Sequence, residues 1–185
     1  MPSVQNRYGF NTSRAPDVIS RNARYAQALL TEMTFIYGVR PTRPRHPYRH
    51  PIIQQVINIT WFQDKNSDGL IFYEHFTPIP IQTIALALAV IECCIDEWTD
   101  GTRKESNWTE GRYRSVYYSH VLSLNSLRDQ SRPPGEDLVA QIQRDLLKNA
   151  RAHAGAPLEP ITRPGQHQQR VLQAERPTYF DDGSQ

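Results

Sequence analysis

The chain has 185 residues, of which 38% are hydrophobic and 22% charged, with a formal net charge of +2. That is enough for one ordinary domain with a real core. The opening residues carry no apolar signal segment, so the expectation is an intracellular protein, cytoplasmic or nuclear, rather than a secreted one.

The near-neutral total hides an uneven spread. Residues 1–50 hold eight arginines against Asp17 and Glu32, a net +6, whereas residues 64–100 hold seven acidic residues against Lys65, a net −6. Arms of opposite sign can satisfy one another, which weakens a nucleic-acid reading.

In chain order, residues 1–14 are polar and read as a flexible, irregular segment. Helix signals begin at Pro16 and Asp17, and Ile19, Ala23, Ala26, Leu30, Met33 and Tyr37 recur at helical spacing up to Gly38. The stretch 40–50, RPTRPRHPYRH, cannot continue a helix, because Pro41, Pro44 and Pro47 break the hydrogen-bond ladder; it reads as an extended basic connector. Pro51 suits the first position of a second helix, with Ile53, Val56, Ile57, Thr60 and Trp61 facing inward. DKNSDG, residues 64–69, ends that helix, and 70–76 is short, aromatic and ambiguous.

A long central helix follows, over about 80–100. Its eight consecutive apolar residues, Ile84 to Ile91, exceed what a surface helix carries on one face and fall short of the roughly 20 that a membrane span needs. Such a helix belongs inside a core, with Gly101 closing it. Cys93 and Cys94 are its small core residues: neighbours on a helix point about 100° apart and do not bridge readily. A fourth helix opens after Thr109, with Tyr113, Val116, Tyr117, His120, Val121, Leu124 and Leu127 on one face. A fifth places Leu138, Val139, Ile142, Leu146 and Ala150 in register and stops at Gly155. Residues 156–185 are poor in aliphatics and read as a disordered tail. The expected fold is all-α, a single domain over 15–155 with about five helices packed around the central one.

The run HPIIQQVINITWFQDKNSDG, then EHFTPIPIQTIALALAVIECCIDEWTDGTRKESNW, RYRSVYYSHVLSL and LLKNARAHAGAPL, resembles a domain of unknown function expanded in mushroom-forming fungi. The resemblance spans residues 46–158, and the DEW followed by glycine after ECCI, at the end of the central helix, is its most recognisable signature. In that family the domain is often the C-terminal part of a longer protein with a disordered, charged N-terminal region. The resemblance implies a helical fold. The family has no assigned activity, so no catalytic or binding residue is carried over.

Four local patterns hold residues capable of chemistry. Asp64, Asn66, Asp68 and Gly69 match the opening of an EF-hand calcium loop, but the twelfth position holds His75 where a bidentate glutamate belongs, so a structural turn is expected. Asp96 and Glu97 lie in the last turn of the central helix, where carboxylates are disfavoured; Arg103, Lys104, Arg112 or Arg114 would compensate. An acid-base site of Asp96, Glu97 and His120 is the enzymatic alternative. His120 itself reads as a buried, hydrogen-bonded histidine with Glu92 or Asp96 as partner. Cys93, Cys94, His120 and His75 lack zinc-like spacing, so no metal or cofactor is expected.

The basic connector, Arg40, Arg43, Arg45 and Arg49 with Tyr48, offers nucleic-acid contacts, set against a solvated linker docking on the protein's own acidic centre. No phosphate loop, nucleophile elbow or zinc-protease motif occurs. The expectation is therefore a non-catalytic protein-interaction module. Exposed tyrosines and Trp108 would meet another protein or a second copy, without a membrane. A nucleic-acid-associated accessory protein is the alternative.

Overall fold

The computed structural model describes residues 2–37, 47–130 and 137–157. Every regular element among them is helical: α1 (Pro2–Tyr8), α2 (Pro16–Leu30), a 3-10 stretch (Thr31–Ile36), α3 (Pro51–Trp61), α4 (Asp68–Ile71), a second 3-10 stretch (Tyr73–Phe76), α5 (Ile81–Asp96), α6 (Glu110–Gln130) and α7 (Leu138–His153). The fold is all-α. The five expected helices are α2, α3, α5, α6 and α7, and α1 and α4 are additional. No described helix is long and apolar enough to cross a membrane.

α5 lies at the centre, touching α1, α2, α3 and α6, while α7 packs on α3 and α6. Its apolar run leaves no polar face, and Ile81, Ile84, Ala85, Ala87, Leu88, Ala89, Ile91, Cys93, Cys94 and Ile95 are all buried. The helix proper stops at Asp96, four residues before the expected end, because Trp98 to Gly101 fold into a turn in which Gly101 N–H donates to the Trp98 carbonyl over 2.8 Å. Gly101 has φ +82°, and a Cβ there would lie 2.1 Å from the Ile19 carbonyl oxygen. Glycine is thus required both for the left-handed turn and for the close approach of α2.

The N-terminal segment corrects the expectation of an irregular stretch. Pro2–Tyr8 is helical, and Val4, Tyr8 and Phe10 are buried in the common core. The Phe10 ring stacks on Trp98, centroids 4.9 Å apart, and the Tyr8 hydroxyl donates to the Phe35 carbonyl over 3.0 Å. Two apolar side chains in seven residues, with no cap, give little periodic signal, and their burial depends on surfaces supplied by distant residues.

α2 also differs from its expected face. Asn22, Ala26 and Leu29 are buried, and the helix gives way to the 3-10 stretch, with Met33 at φ +53°, so the apolar stripe does not run on to Tyr37. Asn22 is a structural tie: Nδ2 donates to the carbonyls of Asn11 (2.7 Å) and Gly101 (2.9 Å), and Oδ1 accepts from Asn11 N–H (3.3 Å). One amide thereby fastens the N-terminal segment and the turn after α5 to α2.

α3 starts at Pro51 as expected. His50 caps it, its Nδ1 accepting from Ile52 N–H over 3.2 Å while its ring stacks on Tyr8. Burial, with help from the Arg7 charge, lowers the His50 pKa from 6.5 to about 4, so the ring is neutral. α7 begins after Asp137, whose side chain accepts from Ala140 N–H over 3.0 Å, and it buries Val139, Ile142, Leu146 and Ala150.

Candidate functional site

The C-terminal end of α5 is an ion-paired terminus. Asp96 accepts from the Tyr113 hydroxyl at 3.1 Å and pairs with Arg112 at 3.6 Å; Glu97 pairs with Arg103 at 2.8 Å; Lys104 pairs with Asp100. Burial raises the Asp96 pKa, opposed by the Tyr113 hydrogen bond and the Arg112 charge. Arg114 pairs with Glu110 on its own helix instead. Trp98, only 1% exposed, fills the core beneath this end.

His120 is 1% exposed and its Nε2 lies 3.0 Å from Glu92 Oε2, one of the two partners expected for it. The pair forms because His120 on the inner face of α6 meets Glu92 on the mostly buried α5. Glu92, Met33, Ser115, Val116, Ser119 and His120 border a hollow of about 310 Å³. Among the described residues no hydrogen bond or ion pair joins His120 to Asp96 or Glu97. The acid-base constellation is split between two places.

Cys93 and Cys94 are buried free thiols, and no group of three or more metal-ligating side chains occurs among the described residues. At 64–69 the Asp64 carboxylate is engaged within the turn, accepting from Asn66 N–H (2.7 Å) and the Ser67 hydroxyl (3.3 Å). α4 begins at Asp68, inside what would be the calcium loop. Gly69 serves packing rather than a loop turn: a Cβ there would sit 2.4 Å from the Phe62 ring.

In the basic connector, Arg49 pairs with Asp145 on α7. Arg40, Arg43 and Arg45 lie outside the described residues. The apolar hollow at the connector's base is bordered by Met33, Ile36, Tyr37, Pro47 and Tyr48 and, on the C-terminal half of α6, by Leu122, Ser126 and Leu127.

One concavity is not announced by the sequence. A groove of about 650 Å³ runs where the end of α3, the start of α5 and the N-terminal half of α6 meet. Trp61, Trp108, Tyr113, Tyr117 and Tyr118 supply its aromatic walls, Leu86 an apolar floor residue, and Gln82, Thr83, Glu110 and Arg114 its polar rim. Trp108 and Tyr118 are 45% and 57% exposed. Trp108 lies flat on Tyr113, centroids 4.8 Å apart and rings inclined by 4°. Tyr113 is anchored from behind, since its hydroxyl meets Asp96 and Ser106 at 3.1 Å each. Among the described residues the indole N–H groups of Trp61 and Trp108 and the hydroxyls of Tyr117 and Tyr118 make no intramolecular hydrogen bond. The groove thus presents aromatic faces and uncommitted donors together. The only sequence signal was the density of aromatics between Trp108 and Tyr118.

The family model for a domain of unknown function, DUF6532, matches residues 1–127. The chain belongs to the DUF6532 family. The DUF6532 match includes α1, the Phe10–Trp98 stack, the Asn22 tie and the whole aromatic groove. It therefore begins well before residue 46, and it ends within α6, before α7. No curated protein and no solved structure matches the chain.

Proposed function

We propose that this DUF6532 domain is a non-catalytic protein-interaction module whose contact face is the groove between α3, α5 and α6. The observation that carries the reading is the combination of half-exposed aromatics with unpaired donors in one concavity. Exposed tryptophan and tyrosine bury large area at little entropic cost, and their polar tips pair with a partner's backbone. Such residues dominate binding energy at protein interfaces. The candidate acid-base residues support the same reading, since Asp96 and Glu97 are neutralised by arginines and hydrogen bonds and His120 is paired elsewhere. The Arg49–Asp145 pair lowers the standing of the nucleic-acid alternative, which keeps Arg40, Arg43 and Arg45.

The test is affinity capture from a fungal lysate, the source the resemblance implies, using the intact chain and a Trp108→Ala/Tyr118→Ala variant, each with and without nuclease. A nuclease-resistant protein partner retained by the intact chain and lost by the variant is expected. Recovery that needs nucleic acid, or that ignores both substitutions, would overturn the reading.

A further inference from the structure

We infer that the hollow between the start of α3 and α7 is a binding site for a small, neutral molecule with an amide edge, a carbonyl beside an N–H, as in a lactam, a carboxamide or a pyrimidine base. The hollow measures about 300 Å³ and is bordered by Arg49, His50 and Gln54 from the α3 side and by Ile142, Asp145 and Leu146 of α7. It shares no lining residue with the aromatic groove, so the inference goes beyond the interaction reading and does not depend on it.

Two of the bordering side chains keep a buried polar atom without a partner. His50 is 3% exposed, and its Nε2 makes no hydrogen bond among the described residues. Its Nδ1 accepts from Ile52 N–H, so the proton of the neutral ring sits on Nε2, a donor. Gln54, one helical turn further on, spends both amide protons, on Asn58 Oδ1 at 2.8 Å and on the Leu146 carbonyl at 3.1 Å. Its Oε1 is also buried and unpartnered, and it is an acceptor. Residues four apart at a helix start share one face, so the donor and the acceptor belong to the same side of α3. A buried polar group left unpaired is costly, and two on one helical turn call for something that pairs both.

Charge and size narrow the ligand. The Arg49 guanidinium and the Asp145 carboxylate neutralise each other, burial keeps the His50 ring uncharged, and the other described residues at the border carry no charge. A neutral molecule therefore fits better than an ion. Its carbonyl accepts from His50 Nε2–H and its N–H donates to Gln54 Oε1. A trans peptide unit points its N–H and its C=O in opposite directions, whereas a lactam, a primary carboxamide or a base presents both on one edge. Ile142 and Leu146 give the flat body of such a molecule an apolar wall. The space is roughly ten times a water's share of the liquid, about 30 Å³, and lies at the small end of ligand pockets.

The test titrates the full chain with uracil, nicotinamide and pyrrolidone, and with N-methylpyrrolidone, which keeps the carbonyl and lacks the N–H. Heteronuclear NMR of the Ile52 amide and the Gln54 side-chain amide gives the readout. Saturable shifts are expected with the first three probes, and binding at least about tenfold weaker with the methylated lactam. His50→Asn keeps a capping acceptor for Ile52 and removes the Nε2 donor, and it should weaken pyrrolidone binding by at least about tenfold. Gln54→Met, which removes the acceptor, replaces it should His50→Asn fail to fold by circular dichroism. Uracil bound more tightly than nicotinamide would assign the site to a pyrimidine base, and equal affinities to the amide edge alone. Trp108→Ala/Tyr118→Ala should leave every affinity unchanged; a loss there would move the ligand to the groove and overturn the assignment. So would the absence of a saturable shift with all three probes, a methylated lactam that binds as tightly as its parent, or a folded His50→Asn variant that binds as before.

Discussion

The two sides of Tyr113 differ in kind. Behind its hydroxyl, the end of α5 is closed: Asp96, Glu97 and Asp100 all have cationic partners, Trp98 is buried against Phe10, and Asn22 ties the Gly101 turn to α2. In front of its ring lies Trp108, stacked flat against it at the groove, where tryptophan and tyrosine stand with donors unused. The difference separates residues that hold the domain together from residues that the fold leaves at its surface. It also shows why the DEW segment carries structure: its acids are compensated at a helix end that otherwise disfavours them.

If that division is right, substitutions behind Tyr113 should unfold the domain and substitutions in front should leave it folded. The largest effect is expected for Gly101→Ala, which adds a Cβ at φ +82° and at 2.1 Å from a backbone oxygen. A loss of about 3–5 kcal/mol in urea unfolding is expected, and a loss below about 1 kcal/mol would mean that α2 gives way easily. Asn22→Ala comes next. It leaves the buried Gly101 carbonyl and the partly buried carbonyl and N–H of Asn11 without their partner, and about 1–3 kcal/mol should be lost, together with faster amide exchange in residues 2–11.

His50 gives a pH-dependent break. Its pKa is about 4 when folded and 6.5 ordinarily, so the unfolded chain binds the extra proton between those values. The stabilisation from the neutral ring is complete above pH 6.5 and drains as pH falls toward 4. The urea midpoint should accordingly drop between pH 7 and pH 5, by about 1–2 kcal/mol of stability. His50→Asn, which keeps a capping acceptor, should flatten that slope; an unchanged slope would assign the acid sensitivity to other groups. The smallest effect on stability belongs to Trp108→Ala, at about 1 kcal/mol or less for the lost stack on Tyr113. A thermal melt shifted as far as that of Gly101→Ala would erase the distinction between the two sides.

How much of this was legible in the sequence depends on whether a feature is periodic or assembled. α5 announced itself because eight apolar residues in a row have no exposed face to offer. α7 keeps its expected stripe because its apolar residues repeat cleanly. That His120 is buried and paired was readable, since a histidine on an apolar stripe needs a partner, but the sequence left Glu92 and Asp96 both open and the packing of α6 on α5 selects Glu92. α1 was not readable: Val4, Tyr8 and Phe10 are core residues only because Trp98, Phe35 and His50 meet them. The groove escaped for the same reason. Trp61, Leu86 and Trp108 share a wall only after three helices have packed, and no local rule states that they will.

α7 has a practical consequence. The family match stops at residue 127, yet Val139, Ile142, Leu146 and Ala150 belong to the same core cluster as Ile53, Val56 and Leu88. Gln54 donates to the Leu146 carbonyl over 3.1 Å, and Gln143 to the Ile79 carbonyl over 2.7 Å. A fragment trimmed to the region of shared sequence would strip α3 of its cover and present a row of isoleucine and valine to solvent, an invitation to aggregate. The unit to express, crystallise or fuse should therefore run through Pro157, whose carbonyl accepts from Arg151 over 2.7 Å and fastens the end of the last helix.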